Sequence, residues 1–393
     1  MATATHLPWE IILDILCRLP VEDLLRYRSV SKPWRSLIGG REFVNRHLKL
    51  SPDSTSRLGF VFGGRNGLYW TSLNGLNSFA PLTYPIDAGA GIAVHGSCNG
   101  LLALMNPNSD MAIWNPSTRR YIVLPISDHF QSFPCHEFEV FLTGFGYDPI
   151  NDDYKLLLLI EFQGLFKPSF HRDVKIYSLN AKTWKKIDNF PANVSYRLTN
   201  GVQFGNSLHW LVKSKPDNSN LILAFDLVNE NIRKIELPQN NCFCVKLVNL
   251  GGSLCAVILS KVAAMVEVWK MKENGVAKES WAIIFSVPST TPTPPFNYFI
   301  PVAYLKNGDQ VLVHDSEKLF VFDIKRRKMI ERAVGSGFPK ICDALVCMKS
   351  LVGLEFAEIT WKWKKSSIKI NEKKKESGKK RDDFLSKGFK LAL

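Results

Sequence analysis

From Gly67 to Ile330 the chain keeps returning to one short pattern. A strand-like run ends in an aromatic, a polar turn follows, and a second large residue stands seven positions on. The pairs are Trp114 and Tyr121, Tyr177 and Trp184, Phe225 and Ile232, and Phe322 and Met329. Turn length sets hairpin register, and register decides which side chains share a face. A constant spacing therefore marks a constant unit. A fifth copy pairs Trp269 with Trp281 across a turn five residues longer, and a weaker sixth pairs Tyr69 with Leu76.

One such hairpin cannot bury its large residues alone, so copies must stack. The six anchoring aromatics recur on average about every 51 residues, near the roughly 50 residues of a propeller blade. Two more strands precede most anchors: GVQF and SLHWLV before Phe225, VKLVNL and SLCAVIL before Trp269, IPVAYL and QVLVHD before Phe322. Four strands per unit predict a β-propeller. Six blades fit best, and seven stay open if the 63 residues between Trp114 and Tyr177 hide another. The late strand ALVCMKSLVGL has no unit of its own and is predicted to pair near Leu58 to Phe62, closing the ring. A β-sandwich is the alternative, but it needs no fixed period.

The first 50 residues have a different texture. Pro8 suits a first helical turn and Pro20 stops that helix. Ser31 is a candidate N-cap with Pro33 behind it, and Gly39-Gly40 ends the next helix. In the opening helix the charged residues Glu10, Asp14 and Arg18 span a stripe about 80° wide. The rest is apolar, more than packing on one core requires. The surplus faces either the strand region or a partner protein.

Charge is concentrated at the other end. Of the net +14, residues 360–393 carry +8. That segment reads as a flexible basic tail, with nuclear import or nucleic-acid binding as alternatives to simple solvation. No run reaches the roughly 20 apolar residues of a membrane span, and the start lacks the form of a signal peptide. The eight cysteines form no CxxC pair and are expected to be reduced. The expected location is cytoplasm and/or nucleus.

LPWEIILDILCRLPVEDLLRYRSVSKPWRSLI closely resembles an F-box, through Leu7-Pro8, Glu10, Ile15-Leu16, Leu19-Pro20, Leu24-Leu25, Val30, Lys32 and Trp34-Arg35. The strand region resembles the F-box-associated, kelch-like domain of plant F-box proteins. It does so through GSCNGLLAL from Gly96, WNPSTRRYIVLP from Trp114, GFGYDPINDDYKLLLL from Gly144, VKIYSLNAKTWKKI from Val174 and SLHWLV from Ser207. The double glycine of true kelch repeats occurs in this region only at Gly63-Gly64 and Gly251-Gly252, and the basic tail lies outside the family pattern.

The resemblance implies a small helical F-box over 1–50, an all-β propeller-like domain over 51–359 and a tail over 360–393. It implies a substrate-recognition subunit of an SCF-type cullin-RING ubiquitin ligase. The F-box would dock an SKP-type adaptor, and through it cullin and RING protein, while the propeller binds a target for ubiquitination and degradation. Leu7, Pro8, Ile12, Ile15, Leu16, Leu19, Pro20, Leu24, Leu25, Val30 and Trp34 would form the F-box core and adaptor surface. Which face the adaptor is not separable at this level. Arg26, Arg28, Lys32 and Arg35 make this end basic, as would suit an acidic adaptor. Target recognition is expected in blade-edge loops: 126–142, 161–172 and 289–296.

Rival readings are a non-catalytic propeller scaffold or a nucleic-acid-associated protein acting outside ubiquitin transfer. An enzyme is disfavoured. The histidines show no metal spacing such as HExxH, and His129 and His136 read as surface loop residues. Cys242 and Cys244 form only an isolated pair. Gly144-Phe-Gly146 lacks the third glycine of a dinucleotide loop and reads as a strand-edge turn. No catalytic residue, cofactor or metal is expected.

Overall fold

A computed structural model describes residues 8–49, 57–64, 67–73, 75–76, 78–87, 91–124, 135–164, 170–195, 199–215, 217–238, 243–260, 265–272, 281–288, 299–305, 308–315, 318–330 and 343–354. Leu7, His129, Cys242, the segment 289–296 and the tail 360–393 lie outside them.

The chain begins with four helices: α1 (Trp9–Arg18), α2 (Val21–Tyr27), α3 (Lys32–Gly39) and α4 (Arg41–Lys49). Pro8 and Pro20 stand at the N-caps of α1 and α2, where a missing N–H costs nothing. The Ser31 hydroxyl caps α3 by accepting from the Trp34 N–H at 3.2 Å, and Gly40 ends it.

Strands follow in order: β1 (Leu58–Gly64), β2 (Gly67–Ser72) and β3 (Ala80–Leu82); β4 (Ala93–Cys98), β5 (Leu101–Met105), β6 (Met111–Asn115) and β7 (Arg120–Leu124). Next come β8 (Cys135–Asp148), β9 (Asp153–Gly164), β10 (Phe170–Ser178), β11 (Thr183–Lys186), β12 (Val194–Ser195), β13 (Thr199–Asn200), β14 (Val202–Phe204), β15 (Ser207–Ser214), β16 (Asn220–Asp226) and β17 (Ile232–Ile235). Last are β18 (Phe243–Leu250), β19 (Ser253–Ser260), β20 (Met265–Met271), β21 (Trp281–Pro288), β22 (Ile300–Leu305), β23 (Gln310–Asp315), β24 (Lys318–Asp323), β25 (Lys328–Ile330) and β26 (Asp343–Met348).

These strands form six sheets of four or five strands. The inner strands β26, β4, β8, β14, β18 and β22 touch one another in ring order. The fold is a six-bladed propeller with a helical head. The ring closes as expected: β26 pairs antiparallel with β1, from Leu58 opposite Met348 to Gly63 opposite Asp343. The closing segment is then locked to the β4–β7 blade. The buried Asn115 amide donates to the Val352 carbonyl at 2.8 Å and to the Ser350 carbonyl at 3.2 Å. Gly100, with φ of +83°, lies so close that a Cβ would stand 2.4 Å from the Ser350 hydroxyl.

The seven-residue spacing has a local cause. Trp114 faces Tyr121, Tyr177 faces Trp184, Phe225 faces Ile232 and Phe322 faces Met329. In each hairpin the residue after the anchor is Asn115, Ser178, Asp226 or Asp323. Its side chain accepts from turn amides: Ser117, Ala181, Val228 and Arg326, at 2.8–3.0 Å. Four residues on, Arg119, Lys182, Glu230 and Arg327 all take positive φ of 50–60°. A capped turn ending in one left-handed residue fixes the loop length, hence the register.

The two irregular copies depart from this rule. A bulge between Val268 and Trp269 puts Ile283 opposite Trp269 and Trp281 opposite Met271, so Trp269 and Trp281 are not a pair. Tyr69 faces Pro81, because the chain makes a longer excursion in which Leu76 is buried. The interval between Trp114 and Tyr177 holds no separate sheet among the described residues. It is occupied by β8 and β9, which are 14 and 12 residues long. Residues 135–142 are therefore strand rather than loop, His136 lies on β8, and both ends of the expected 161–172 loop belong to β9 and β10. Gly144 and Gly146 lie inside β8, not at a turn. A Cβ at Gly144 would stand 2.4 Å from the Trp210 ring, whose Nε1–H donates to the Thr143 carbonyl at 2.6 Å.

Candidate functional site

The head is partly consumed by the ring and partly left bare. Leu16, Cys17, Val21, Leu24, Ile38, Phe43 and Val44 join one buried cluster with Leu101, Met111, Tyr154, Leu156, Leu351 and Val352 of the ring. Ile12, Leu19, Leu25 and Trp34 are partly buried against that cluster. Pro8 and Pro20 are exposed. Ile11 and Ile15, one turn apart on α1, stay 47% and 48% exposed, Tyr27 37% and Val30 51%. The apolar surplus is thus partly covered by the ring and partly left exposed. The expected site residues divide into buried Leu16 and Leu24, a half-buried set, and bare Pro8, Ile15, Pro20 and Val30. Ile11 and Tyr27 were missed because a sequence gives helix face but not which face the ring covers.

Polar clasps fix the seat. Asp152, in the β8–β9 turn, accepts from the Tyr147 hydroxyl at 2.5 Å and from Asn45 Nδ2 at 3.5 Å, and its carboxylate pairs with Arg41 of α4. Its backbone carbonyl accepts from Arg41 Nη2 at 2.6 Å. Burial pushes the Asp152 carboxyl up, but Tyr147 and Arg41 outweigh it and hold it below its usual value. Burial and this acceptor push the Tyr147 phenol up. Nearer the chain closure, Lys349 pairs with Glu22 of α2 and lies 4.3 Å from the Trp70 ring centroid.

His47 of α4 is buried and neutral. Its Nε2–H donates to the Leu19 carbonyl at 3.0 Å, and its Nδ1 accepts from Arg57 Nη1 at 2.9 Å. Burial first, then Arg57, pull its pKa down against the Leu19 bond.

The antiparallel register puts the β8–β9 turn at the head, whereas Cys135 and Gly164 pair at the far end. Leu124, Phe170 and Pro288, which pairs with Met265, end strands on the same side as Cys135 and Gly164. The inner strands enclose a central cavity of about 440 Å³ lined by His95, Cys98, Tyr147, Asn200 and Gln203 among others. Its polar lining is tied up: Asn200 Oδ1 accepts from Thr143 Oγ1 behind the wall at 2.8 Å, Gln203 Nε2 donates to the Tyr147 carbonyl at 2.8 Å, and Cys98 Sγ donates to Gln203 Oε1 at 3.1 Å. Burial pushes the Cys98 thiol up to about 12. Among the described residues no group of three or more His, Cys, Asp or Glu could hold a metal ion, and no helix is long and apolar enough to cross a membrane.

A four-helix head with a bare apolar face, seated on a six-bladed ring, defines a protein of the F-box and propeller class. The F-box domain family matches residues 5–46, and the F-box associated beta propeller domain family matches 76–342. The chain belongs to the plant F-box proteins that carry this associated propeller. F-box protein CPR1 of Arabidopsis thaliana is 32% identical, with 98% of this chain and 99% of that one covered. F-box protein At4g22390 is 28% identical with the same coverage, and F-box/kelch-repeat protein At3g23880 is 27% identical over 90% of this chain and 97% of that one, both from Arabidopsis thaliana. This architecture supports, in general terms, a substrate-recognition role in SCF-type ubiquitin ligases.

Proposed function

We propose that this chain is a non-catalytic receptor of an SCF-type ligase, its division of labour following residues 1–50, 51–359 and 360–393. The bare face of Pro8, Ile11, Ile15, Tyr27 and Val30 docks the SKP-type adaptor, and through it cullin and RING protein. Leu16 and Leu24 are the core beneath it. Ile12, Leu19, Leu25 and Trp34 brace that face against the ring, Pro20 extends it, and Leu7, outside the described residues, is assigned to adaptor binding with them. Arg26, Arg28, Lys32 and Arg35 speed encounter with an acidic adaptor. The target protein is received on the far rim, where the strands end at Leu124, Cys135, Gly164, Phe170 and Pro288. Held between the two, the target lysine reaches the ligase's catalytic subunits at high effective concentration.

The observation that carries this reading is the exposure of Ile11 and Ile15 on a helix whose other side is spent on the ring. An exposed apolar pair of this kind marks an interface. The test is co-purification with an SKP-type adaptor. Ile15→Asp combined with Ile11→Asp is expected to abolish capture and leave thermal unfolding unchanged. Leu16→Asp is a poor probe, because Leu16 is 2% exposed and the charge would unfold the head. Normal capture by the double variant would overturn the assignment.

A further inference from the structure

The outer edge of the β4–β7 blade differs from the other five. β7 pairs only with β6, so its second edge carries unpaired backbone groups among the described residues. Such edges are normally guarded by charge or proline. That is so at β11, which exposes Lys185 and Lys186, at β17, which exposes Arg233 and Lys234, and at β3, which exposes Pro81. β21 and β25 each expose one large apolar residue, Ile283 and Ile330. β7 has a charge only at its start, Arg120, and beyond it exposes two large apolar residues on one face, Tyr121 and Val123, each 51%. Strand addition makes use of an open edge of this kind, with pockets for alternate side chains.

Charge at one end of that edge selects the occupant. Arg120 opens β7 directly after Arg119, and Arg28 of the head lies within electrostatic reach of Arg120 and of Arg35, whose Nε donates to the Arg28 carbonyl at 3.3 Å. Among the described residues no carboxylate pairs with any of these four. Arg28 also feels both Arg120 and Arg35, which add to burial in disfavouring its charge. Gathering these cations costs free energy that an arriving anion would return.

We propose that β7 receives an extended segment of a partner protein in which alternate apolar residues are followed by carboxylates. The segment adds antiparallel to β7, its apolar side chains against Tyr121 and Val123. Its acidic end then meets the Arg119, Arg120, Arg28 and Arg35 cluster at the seam between head and ring. Arg28 and Arg35 also flank the adaptor face, so the Tyr121→Lys with Val123→Lys variant, which touches no residue assigned to the adaptor, separates this proposal from the adaptor reading.

The probe is a fluorescein-labelled peptide, TVTVTEDD, titrated by anisotropy into the full-length protein. Saturable binding is expected, weakened about tenfold by Tyr121→Lys with Val123→Lys and by Arg120→Glu with Arg28→Glu, the latter loss shrinking at high salt. Hydrogen exchange at residues 120–124 is expected to slow when the peptide is added. Lysine at these outward positions copies β11, and thermal unfolding of the variants checks that they fold. Absence of binding, equal binding by the variants, or protection confined to other strands would overturn the proposal. So would self-association through β7, seen as dimerisation that Tyr121→Lys abolishes.

Discussion

At Asp152 the backbone takes a positive φ of 49° and the side chain ties Arg41, Asn45 and Tyr147 to one turn of the ring. Asp152→Gly keeps that backbone and removes the carboxylate. It is expected to cost about 1–2 kcal/mol in urea unfolding, because the bonds are charged but partly exposed. Asp152→Asn should cost less. The carboxyl is held below its usual value. Its contribution is therefore present at neutral pH and lost as acid protonates it, below about pH 4. The asparagine variant should lose less stability there.

His209 titrates in a different window. It is wholly buried on β15, and burial pulls its pKa down to about 4 against bonds such as that to the Val202 carbonyl. The unfolded chain takes up this proton near pH 6.5, so stability falls as pH drops from about 6.5 to 4, by on the order of 3 kcal/mol. His209→Gln should flatten that slope in unfolding curves collected across the range.

Among the elements, the hairpin turn is the repeating device, and much of it was legible. The spacing of seven is visible because loop length does not vary among four hairpins, and their Asn, Ser or Asp after each anchor stands in the sequence for the same reason. What did not show was the bulge at Val268 and Trp269 or the excursion around Leu76. Neither is fixed by the anchor spacing, which reads turn length but not a register shift inside a strand pair. Asp226→Ala removes the acceptor for the Val228 and Asn229 amides and is expected to cost about 1 kcal/mol. Arg327→Gly, at φ of 50°, should stabilise by about 0.5–1 kcal/mol, since glycine takes that conformation without strain. Chemical denaturation of the two variants would give opposite signs.

Across the whole molecule, closure and seating are coupled. The segment that ends the ring, 343–354, supplies β26, the Lys349 that grips α2, and Leu351 and Val352 that lie in the cluster under the head. Asn115→Ala leaves the buried Val352 and Ser350 carbonyls without this donor and is expected to cost about 2 kcal/mol. Calorimetry should show head and ring still melting in one transition, since both share that cluster.

The sequence by itself determined the repeat unit, the helical head and the strand that closes the ring. These rest on local spacing, on turn chemistry and on which residues a helix or hairpin places side by side. Only the tertiary structure decided which side of α1 the ring covers. It also placed Asp152 and Lys349 as clasps and left β7 with a bare edge. Each of these is a juxtaposition of residues far apart in the chain, and distance in space is set by how whole blades pack.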